Sequence, residues 1–207
     1  MTLTNVDSAV NRGSERVAAI ASADAESLPY ASESFDYVVV HAVLHHCRSP
    51  HRALLEMYRV ARKAAIFFES RDSFSIRLAQ RLGFANPYEL TAVAANNGLA
   101  GGVCDTAVPN YVYRWTEREV RKTIASYAPH ATHTFDFAHG YGTPCQADRN
   151  GPRGLMRAAC IRLYRVFVAM FPSQRNLLAC RVQKPTLPRD LQPWLAADGD
   201  AFRFSSS

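Results

Sequence analysis

The 207-residue sequence lacks several features that define common protein classes. No apolar run reaches the roughly 18 uncharged residues of a membrane-spanning helix, so no transmembrane segment is expected. Residues 1–7 have no basic start followed by an apolar stretch, so we expect no signal peptide. Hydrophobic residues at 48% and charged residues at 20% exclude a disordered, collagenous or coiled-coil chain. A globular chain with one main domain remains.

Cysteine is present but is badly placed for cross-linking. The count is five, which is odd, and no two cysteines lie within four positions of each other. These spacings disfavour a disulfide framework and a CxxC-type zinc site. We therefore expect a reducing, cytoplasmic setting. The cysteines are Cys47, Cys104, Cys145, Cys160 and Cys180.

Positive charge is spread along the chain and does not form a block. The sequence has 24 Lys+Arg against 18 Asp+Glu, a net charge of +6, and almost all cations are arginine. Without a run of five like charges, solvated arginines are the favoured interpretation and no nucleic-acid partner is expected. A basic protein that binds nucleic acid or a membrane surface stays open as a further alternative function.

The first 70 residues show a strand–strand–helix–strand order. Residues 15–24 predict a short buried strand, and residues 35–40 and 64–69 predict two more. Between the last two, Ser49 and Pro50 are suited to capping and opening a helix. This spacing is a βαβ pattern, which implies a parallel sheet with right-handed crossovers. The predicted fold class is α/β, with a mostly parallel sheet and flanking helices.

The second half of the chain is less regular. Its predicted elements are helices over 73–82, 88–96 and 116–127, the last with a capping box, and strands over 132–138 and 176–182. Residues 155–171 form an amphipathic pattern for which core packing is the favoured interpretation and a membrane-surface helix is the alternative. Three prolines after position 184 predict an extended tail over 185–207.

Residues 24–69 carry several motifs in a consistent order. They are Asp24 to Tyr30 (DAESLPY), Ser34 to Val40 (SFDYVVV), His41 to His46 (HAVLHH), and the later Pro50, Ala53, Leu54, Glu56, Arg59 and Val60. The stretch resembles S-adenosylmethionine-dependent methyltransferases of the Rossmann-like superfamily, in particular the small-molecule, type 11-like group. The resemblance implies a partial methyltransferase domain over 1–184, with its core in 15–82 and with accessory helices and edge strands in 83–184.

The resemblance also implies roles for individual residues. Asp24 and Ala25 would bind the adenine of S-adenosyl-L-methionine, and the backbone at His41 would pass the sulfonium side. His45 and His46 would face the methyl acceptor, where an imidazole can take a proton from a hydroxyl or an amine. The alternatives are that Asp24 caps a turn and that the two histidines line or pack the pocket.

Three further candidates receive no catalytic assignment from the sequence. Asp36 starts a strand and is expected to be structural. His41, His45, His46 and Cys47 include metal-ligand types, but the segment passes from strand to loop and no metal site is expected. The aromatic segment 109–115 is either a lid or acceptor pocket, or a packing patch.

Glycine is scarce where the resembled family needs it. A glycine-rich turn should precede the Asp24 strand, yet the first 23 residues hold only Gly13. Val6 and Asp7 are a candidate remnant of the family's second strand and its acid. The domain is thus expected to be N-terminally incomplete, through an upstream start, a natural fragment or a non-catalytic relative. We expect weak cofactor binding and self-association through an exposed sheet edge.

These observations give the expected function. It is S-adenosylmethionine-dependent methyl transfer to a small-molecule or carbohydrate-like acceptor. The alternative is a non-catalytic partner or relic with the methyltransferase fold.

Overall fold

The computed structural model describes residues 2–4, 22–142, 151–199 and 201–205. Its strands are β1 (Thr2–Thr4), β2 (Ser22–Asp24), β3 (Phe35–His41), β4 (Ala61–Ser70), β5 (Phe135–Gly140), β6 (Leu177–Gln183), β7 (Leu195–Asp198) and β8 (Ala201–Phe204). Its helices are α1 (Pro50–Val60), α2 (Phe74–Arg81), α3 (Leu90–Ala95), α4 (Glu117–Tyr127) and α5 (Gly151–Met170). Short 3₁₀ turns occupy Leu44–His46, Val103–Asp105 and Pro172–Gln174.

The main sheet has four strands in the order β3-β4-β6-β5. Strand β3 pairs with β4 in parallel, and β6 is antiparallel to both β4 and β5. Strands β3, β4 and β5 therefore run in one direction and only β6 is reversed. This confirms the predicted α/β class with a mostly parallel sheet and flanking helices.

Helix α1 makes the crossover between the two parallel strands. The Ser49 hydroxyl accepts a hydrogen bond from the Arg52 N–H, and Pro50 occupies the first turn, as predicted. The buried face of the helix consists of Ala53, Leu54, Met57, Tyr58 and Val60. The apolar spacing of α1 therefore correctly predicted a helix with one buried face, which covers one face of the sheet.

A hydrogen-bond network fixes the chain after β2 against α1. The Arg59 guanidinium donates to the carbonyl oxygens of Leu28 at 3.0 Å and Tyr30 at 2.8 Å, and to Glu56 at 2.8 Å. Glu56 also accepts from the Leu28 N–H at 2.9 Å. The turn that follows β2 is thus held by a charged pair and by backbone groups, which places the end of β2 beside α1.

The two ends of the chain differ from the sequence-based expectations. Only 22–24 of the expected strand 15–24 are described as strand, and they pair antiparallel with β1. Residues 15–21, and Val6 and Asp7 with their candidate role, lie outside the described residues. The expectation of an extended tail was wrong, because β7 and β8 form a hairpin. Gly199, at φ +61°, follows Asp198 at the end of β7, and glycine is typical of the first loop position of a tight hairpin turn.

The bounds of other elements differ from the predicted bounds by a few residues. Strand β5 starts at Phe135 because the Thr132 N–H donates to the Asp190 carbonyl oxygen at 2.8 Å and so does not enter the sheet. Helix α3 is shorter than the predicted 88–96. Helix α4 begins with the predicted capping box, in which Thr116 and Glu119 exchange side-chain and backbone hydrogen bonds.

Helix α5 does not bury its apolar stripe in the core. Leu155 is 73% exposed, Leu163 is 71% exposed and Met170 is 65% exposed. The side that faces the body carries Val168, which is buried, and Tyr164, whose hydroxyl donates to the Gln174 carbonyl oxygen. The expectation of core packing for this stripe was therefore wrong, because the helix docks through its other face.

Candidate functional site

The candidate site lies at the carboxyl ends of β3 and β4. Because the two strands are parallel, their ends at His41 and Ser70 meet at the same edge of the sheet, where ligands bind in open α/β sheets. The chain turns sharply after β3 at Ala42, which has a φ of +53° and donates its N–H to the Phe68 carbonyl oxygen. The 3₁₀ turn that carries His45 and His46 follows directly.

Glu69 organises this turn from the next strand. It is buried, and its Oε1 accepts from the backbone N–H groups of Val43 at 2.8 Å and Leu44 at 2.6 Å. Its Oε2 lies 2.8 Å from His45 Nδ1. One carboxylate therefore fixes the loop and places the proton of a neutral His45 ring on Nδ1, which leaves Nε2 as the acceptor nitrogen.

Glu89 and Asn110 complete the cluster from a distant part of the chain. The Nε2 atoms of His45 and His46 lie 3.5 Å and 3.7 Å from Glu89 Oε2, and the two rings are 4.4 Å apart. The Asn110 amide nitrogen lies 2.5 Å from His46 Nδ1 and 3.5 Å from Glu89 Oε2. We call His45, His46, Glu69, Glu89 and Asn110 the histidine–glutamate network.

Burial and nearby carboxylates shift the pKa values of His45 and of the neighbouring Cys47. Burial alone would lower the pKa of His45, but the carboxylates of Glu69 and Glu89 outweigh that effect and raise the pKa above its usual range. Burial, reinforced by the charges of Glu26, Glu69 and Asp24, raises the pKa of Cys47 to about 12. The Cys47 thiol is therefore protonated near neutral pH and is a poor nucleophile.

The same histidines bear on metal binding. One ligand atom from each of His45, His46 and Glu89 can be chosen so that all three lie within 4.8 Å of one another. However, Asn110 donates to His46 Nδ1, which places the proton of a neutral ring on Nε2, facing Glu89. The Asn110 amide would have to turn over, or that proton would have to leave, before His46 could act as a ligand through Nε2.

The two candidate adenine-binding residues lie in different surroundings. Asp24 is exposed at the end of β2, where its Oδ1 accepts from the Glu26 N–H at 2.9 Å, so the carboxylate does cap a turn. Its side chain also lines a polar cleft of about 340 Å³. The other lining residues are Glu26, Ser27, Arg48, Arg52 and Cys104.

Ala25 faces the other way and is buried. It lines an apolar cavity of about 240 Å³ with Val43 and Leu44, so the end of β2 and the loop after β3 border a common space. His41 is exposed at the end of β3, where its ring lies 6.1 Å from that of Phe68. The structure thus brings Ala25, His45 and His46 to one end of the sheet, while His41 stays outside the network.

Asp36 has surface partners only. It pairs with Arg62 at 3.0 Å and Lys63 at 2.9 Å, and the hydrogen bond and charge of Lys63 contribute most to lowering its pKa. This position fits the structural role expected for Asp36.

The aromatic segment 109–115 divides between the two roles that the sequence left open. Trp115 is fully buried, with its ring 5.8 Å from Phe67 in the core. Tyr113 is partly buried, where its hydroxyl donates to Glu119 and lies 3.3 Å from His51 Nε2. Tyr111, by contrast, is 54% exposed. Packing describes Trp115, whereas Tyr111 is exposed enough to meet an acceptor.

Glu69 and Glu89 were not singled out as site residues from the sequence, and Asn110 was named only as part of the segment 109–115. Glu69 carried the clearest signal, because an acid at the carboxyl end of a parallel strand lies where ligands bind. Glu89 carried none, and the segment 109–115 gave no sign that Asn110 contacts His46, because both residues reach the histidines from parts of the chain that are distant in sequence.

One family model matches part of the chain. Residues 2–68, roughly its first third, match the family described as "Methyltransferase domain". This match confirms the resemblance to methyltransferases that the motifs between Asp24 and Glu69 predicted. No curated protein shows a significant match to the chain.

Solved structures give a coarse likeness. A SAM-dependent methyltransferase of Thermotoga maritima matches at 15% identity and a TM-score of 0.41, over 79% of this chain and 62% of that one. The methyltransferase bound to the Trm112 activator of Haloferax volcanii matches at 14% identity and 0.42, over 79% and 60%. The chain therefore spans less than two thirds of the length of either protein. At this level of identity and TM-score, no residue role is transferred from these proteins to this chain.

In the part of the chain that the structure describes, no helix has both the length and the apolar character needed to cross a bilayer.

Proposed function

We propose that the chain transfers a methyl group from S-adenosyl-L-methionine to a small-molecule or carbohydrate-like acceptor. The observation that carries the proposal is the buried Glu69–His45 pair at the joint carboxyl end of β3 and β4, within and next to the segment that matches the methyltransferase domain. Open α/β sheets bind ligands at this edge. The Glu69–His45 pair places ionisable groups there and holds them in a fixed geometry.

Asp24 and Ala25 are the proposed holders of the adenine end. The Asp24 carboxylate is exposed on a polar cleft, which suits an amino group of a purine ring, and the Ala25 N–H would donate to a ring nitrogen. The backbone at His41 is proposed to border the sulfonium side. When bound, the cofactor supplies an electrophilic methyl group, which needs alignment more than acid–base help.

His45 and His46 are proposed to serve the acceptor side. The His46 side chain is 24% exposed and that of Glu89 is 30% exposed, so these two can meet a hydroxyl or an amine. The His45 side chain is only 8% exposed, and its ring links Glu69 to Glu89. His46 would take the acceptor proton on Nε2 in the tautomer whose own proton lies on Nδ1. That tautomer requires the Asn110 amide to turn over so that its oxygen accepts from Nδ1, and charged His45 would fix Glu89 beside it.

Equilibrium dialysis with labelled S-adenosyl-L-methionine tests the cofactor role. We expect weak binding by the unaltered chain and at least a tenfold loss in Asp24→Ala, the size expected when a charge-assisted hydrogen bond is removed. Asp136→Ala is the matched control, because Asp136 of β5 is also an exposed aspartate but pairs with Arg181 of β6. No detectable binding, or an equal loss in both variants, would contradict the proposal.

Two further properties are proposed for the whole chain. A reducing, cytoplasmic setting is supported by the four described cysteines, all of which are free. Self-association through β3 is supported by its position at the end of the sheet and by Tyr37 and Val39, which are 56% and 54% exposed. Sedimentation velocity over a concentration series would detect this association.

A further inference from the structure

Helix α5 presents an apolar stripe on the side opposite its attachment to the body. At 100° per residue, its exposed apolar side chains span one arc of the helix, and Tyr164 and Val168 lie across from that arc. The exposed side chains are Leu155, Met156, Leu163, Val166 and Met170, all more than half exposed. A helix on the surface of a soluble protein normally shows the reverse arrangement, with polar residues outward.

Helix α2 repeats the arrangement. Phe74 is 63% exposed and Leu78 is 43% exposed, and Leu82, just after the helix, is 60% exposed. These three recur four residues apart and so share one face, while Ile76 on the other face is buried.

The two helices share an anchor. The Ser75 hydroxyl at the start of α2 lies 3.2 Å from the Tyr164 hydroxyl of α5, and both bond to the Gln174 carbonyl oxygen. The exposed stripes therefore belong to neighbouring helices. We call the eight exposed apolar residues of the two stripes the α2–α5 face.

The charged residues within the two helices have one sign. The two helices contain six arginines and no aspartate or glutamate. Arg81, Arg162 and Arg165 are exposed and flank the stripes in the helical projection. Apolar side chains bordered by arginines match a surface that is apolar below and anionic at its rim, which is the chemistry of a bilayer with acidic headgroups.

We propose that the α2–α5 face docks the protein onto an anionic lipid bilayer. The helices would lie in the headgroup layer, with leucine and methionine side chains entering the acyl boundary and arginines pairing with phosphates. The charge pattern selects this occupant, because a second copy of the chain would bring the same positive charges face to face. The proposal is independent of the reaction, since it uses no residue of the histidine–glutamate network.

Co-sedimentation of the whole chain with vesicles tests the proposal. Vesicles of phosphatidylglycerol and phosphatidylcholine should retain the protein, pure phosphatidylcholine should retain much less, and added salt should release it. Leu163→Ser/Met170→Ser should weaken partitioning at least tenfold, and Arg162→Gln/Arg165→Gln about fivefold per arginine. Circular dichroism should show that all variants keep the helical content of the unaltered chain.

The matched control is Leu99→Ser/Val108→Ser. These side chains are 79% and 62% exposed but lie outside both helices, so their loss should leave partitioning unchanged. The proposal fails if anionic and neutral vesicles retain the protein equally, or if the control pair weakens partitioning as much as the stripe pair. It also fails if sedimentation equilibrium shows a dimer that only the stripe pair dissociates, since a second copy would then cover the face. If Leu163→Ser/Met170→Ser misfolds, the partitioning of Arg162→Gln/Arg165→Gln into anionic vesicles tests the proposal, and unchanged partitioning contradicts it.

Discussion

The histidine–glutamate network and the α2–α5 face differ in how far their side chains are buried and bonded within the chain. In the network, Glu69 is 2% exposed and accepts from two backbone N–H groups and from His45. On the face, Leu163 is 71% exposed and contributes apolar surface that the described chain leaves in contact with water. Substitutions in the network should therefore lower the free energy of unfolding strongly, and substitutions on the face should change it little.

This difference shows where each region finds its partners. The network is satisfied mostly within the chain, so a change to one member leaves another buried polar group without its bond. The α5 side chains of the face are each more than half exposed, so shortening them removes few contacts. Stability measurements can separate the two regions without any knowledge of substrate or lipid.

The largest effect is expected from Glu69→Gln. The amide cannot accept all three bonds that the carboxylate accepts, and it leaves the charged form of His45 without its nearest partner. We expect a loss of about 3–5 kcal/mol in the free energy of unfolding, measured by urea denaturation. Glu33→Gln is the control, because Glu33 is 58% exposed and its pair with Lys184 is long, at 3.4 Å. Equal losses in Glu69→Gln and Glu33→Gln would contradict the claim that the buried carboxylate contributes more to stability than an exposed one.

A smaller loss is expected from Arg59→Gln. Arg59 ties the chain after β2 to α1 through Leu28, Tyr30 and Glu56. Removing its guanidinium should reduce the free energy of unfolding by about 2 kcal/mol, again by urea denaturation. Arg62→Gln affects the exposed pair with Asp36 and an exposed hydrogen bond to the Glu33 carbonyl oxygen at 3.2 Å, and it should change the free energy of unfolding by less than about 1 kcal/mol. The reverse ranking would show that the turn after β2 is not held as described.

The pH dependence of stability should report on His45. Its pKa in the folded chain is raised, so its contribution is fully present below the unfolded value of about 6.5 and is lost as the pH rises through the folded value. The free energy of unfolding should therefore fall between slightly acidic and alkaline pH by more in the unaltered chain than in His45→Gln. His46, Glu69 and Glu89 face the ring, so Glu69→Gln should flatten the same profile. A steeper fall in His45→Gln would contradict the assignment.

The smallest effect is expected on the α2–α5 face. Leu163→Ala should change the free energy of unfolding by no more than about 0.5 kcal/mol, because the side chain is already in water. Leu178→Ala, at a fully buried leucine of β6, should lose about 2–5 kcal/mol. A large loss in Leu163→Ala would mean that the stripe packs against the chain after all.

Local patterns predicted several elements of the fold well. The apolar run of β3, the serine cap and proline of α1, and the capping box of α4 each place their cause within a few residues of their effect. The α/β class followed from their order. The terminal hairpin was missed although Asp198 and Gly199 signal a turn, because the prolines around it favoured an extended tail.

The candidate site was predictable only in part. His45 and His46 were found because they stand in a motif directly after a strand. Glu89 and Asn110 join them across 44 and 64 residues of chain, a closure that no periodicity reports. The α5 stripe was misassigned for a related reason: helical spacing shows that a face is apolar, but not which surface covers it.

Ultraviolet cross-linking with labelled S-adenosyl-L-methionine, followed by peptide mapping, tests the proposed function most directly. The label should fall on peptides that contain residues 24–30 or 41–48, and unlabelled S-adenosylhomocysteine should compete it away. Label on α2 or α5, or label that the competitor does not reduce, would contradict a cofactor site at the carboxyl ends of β3 and β4.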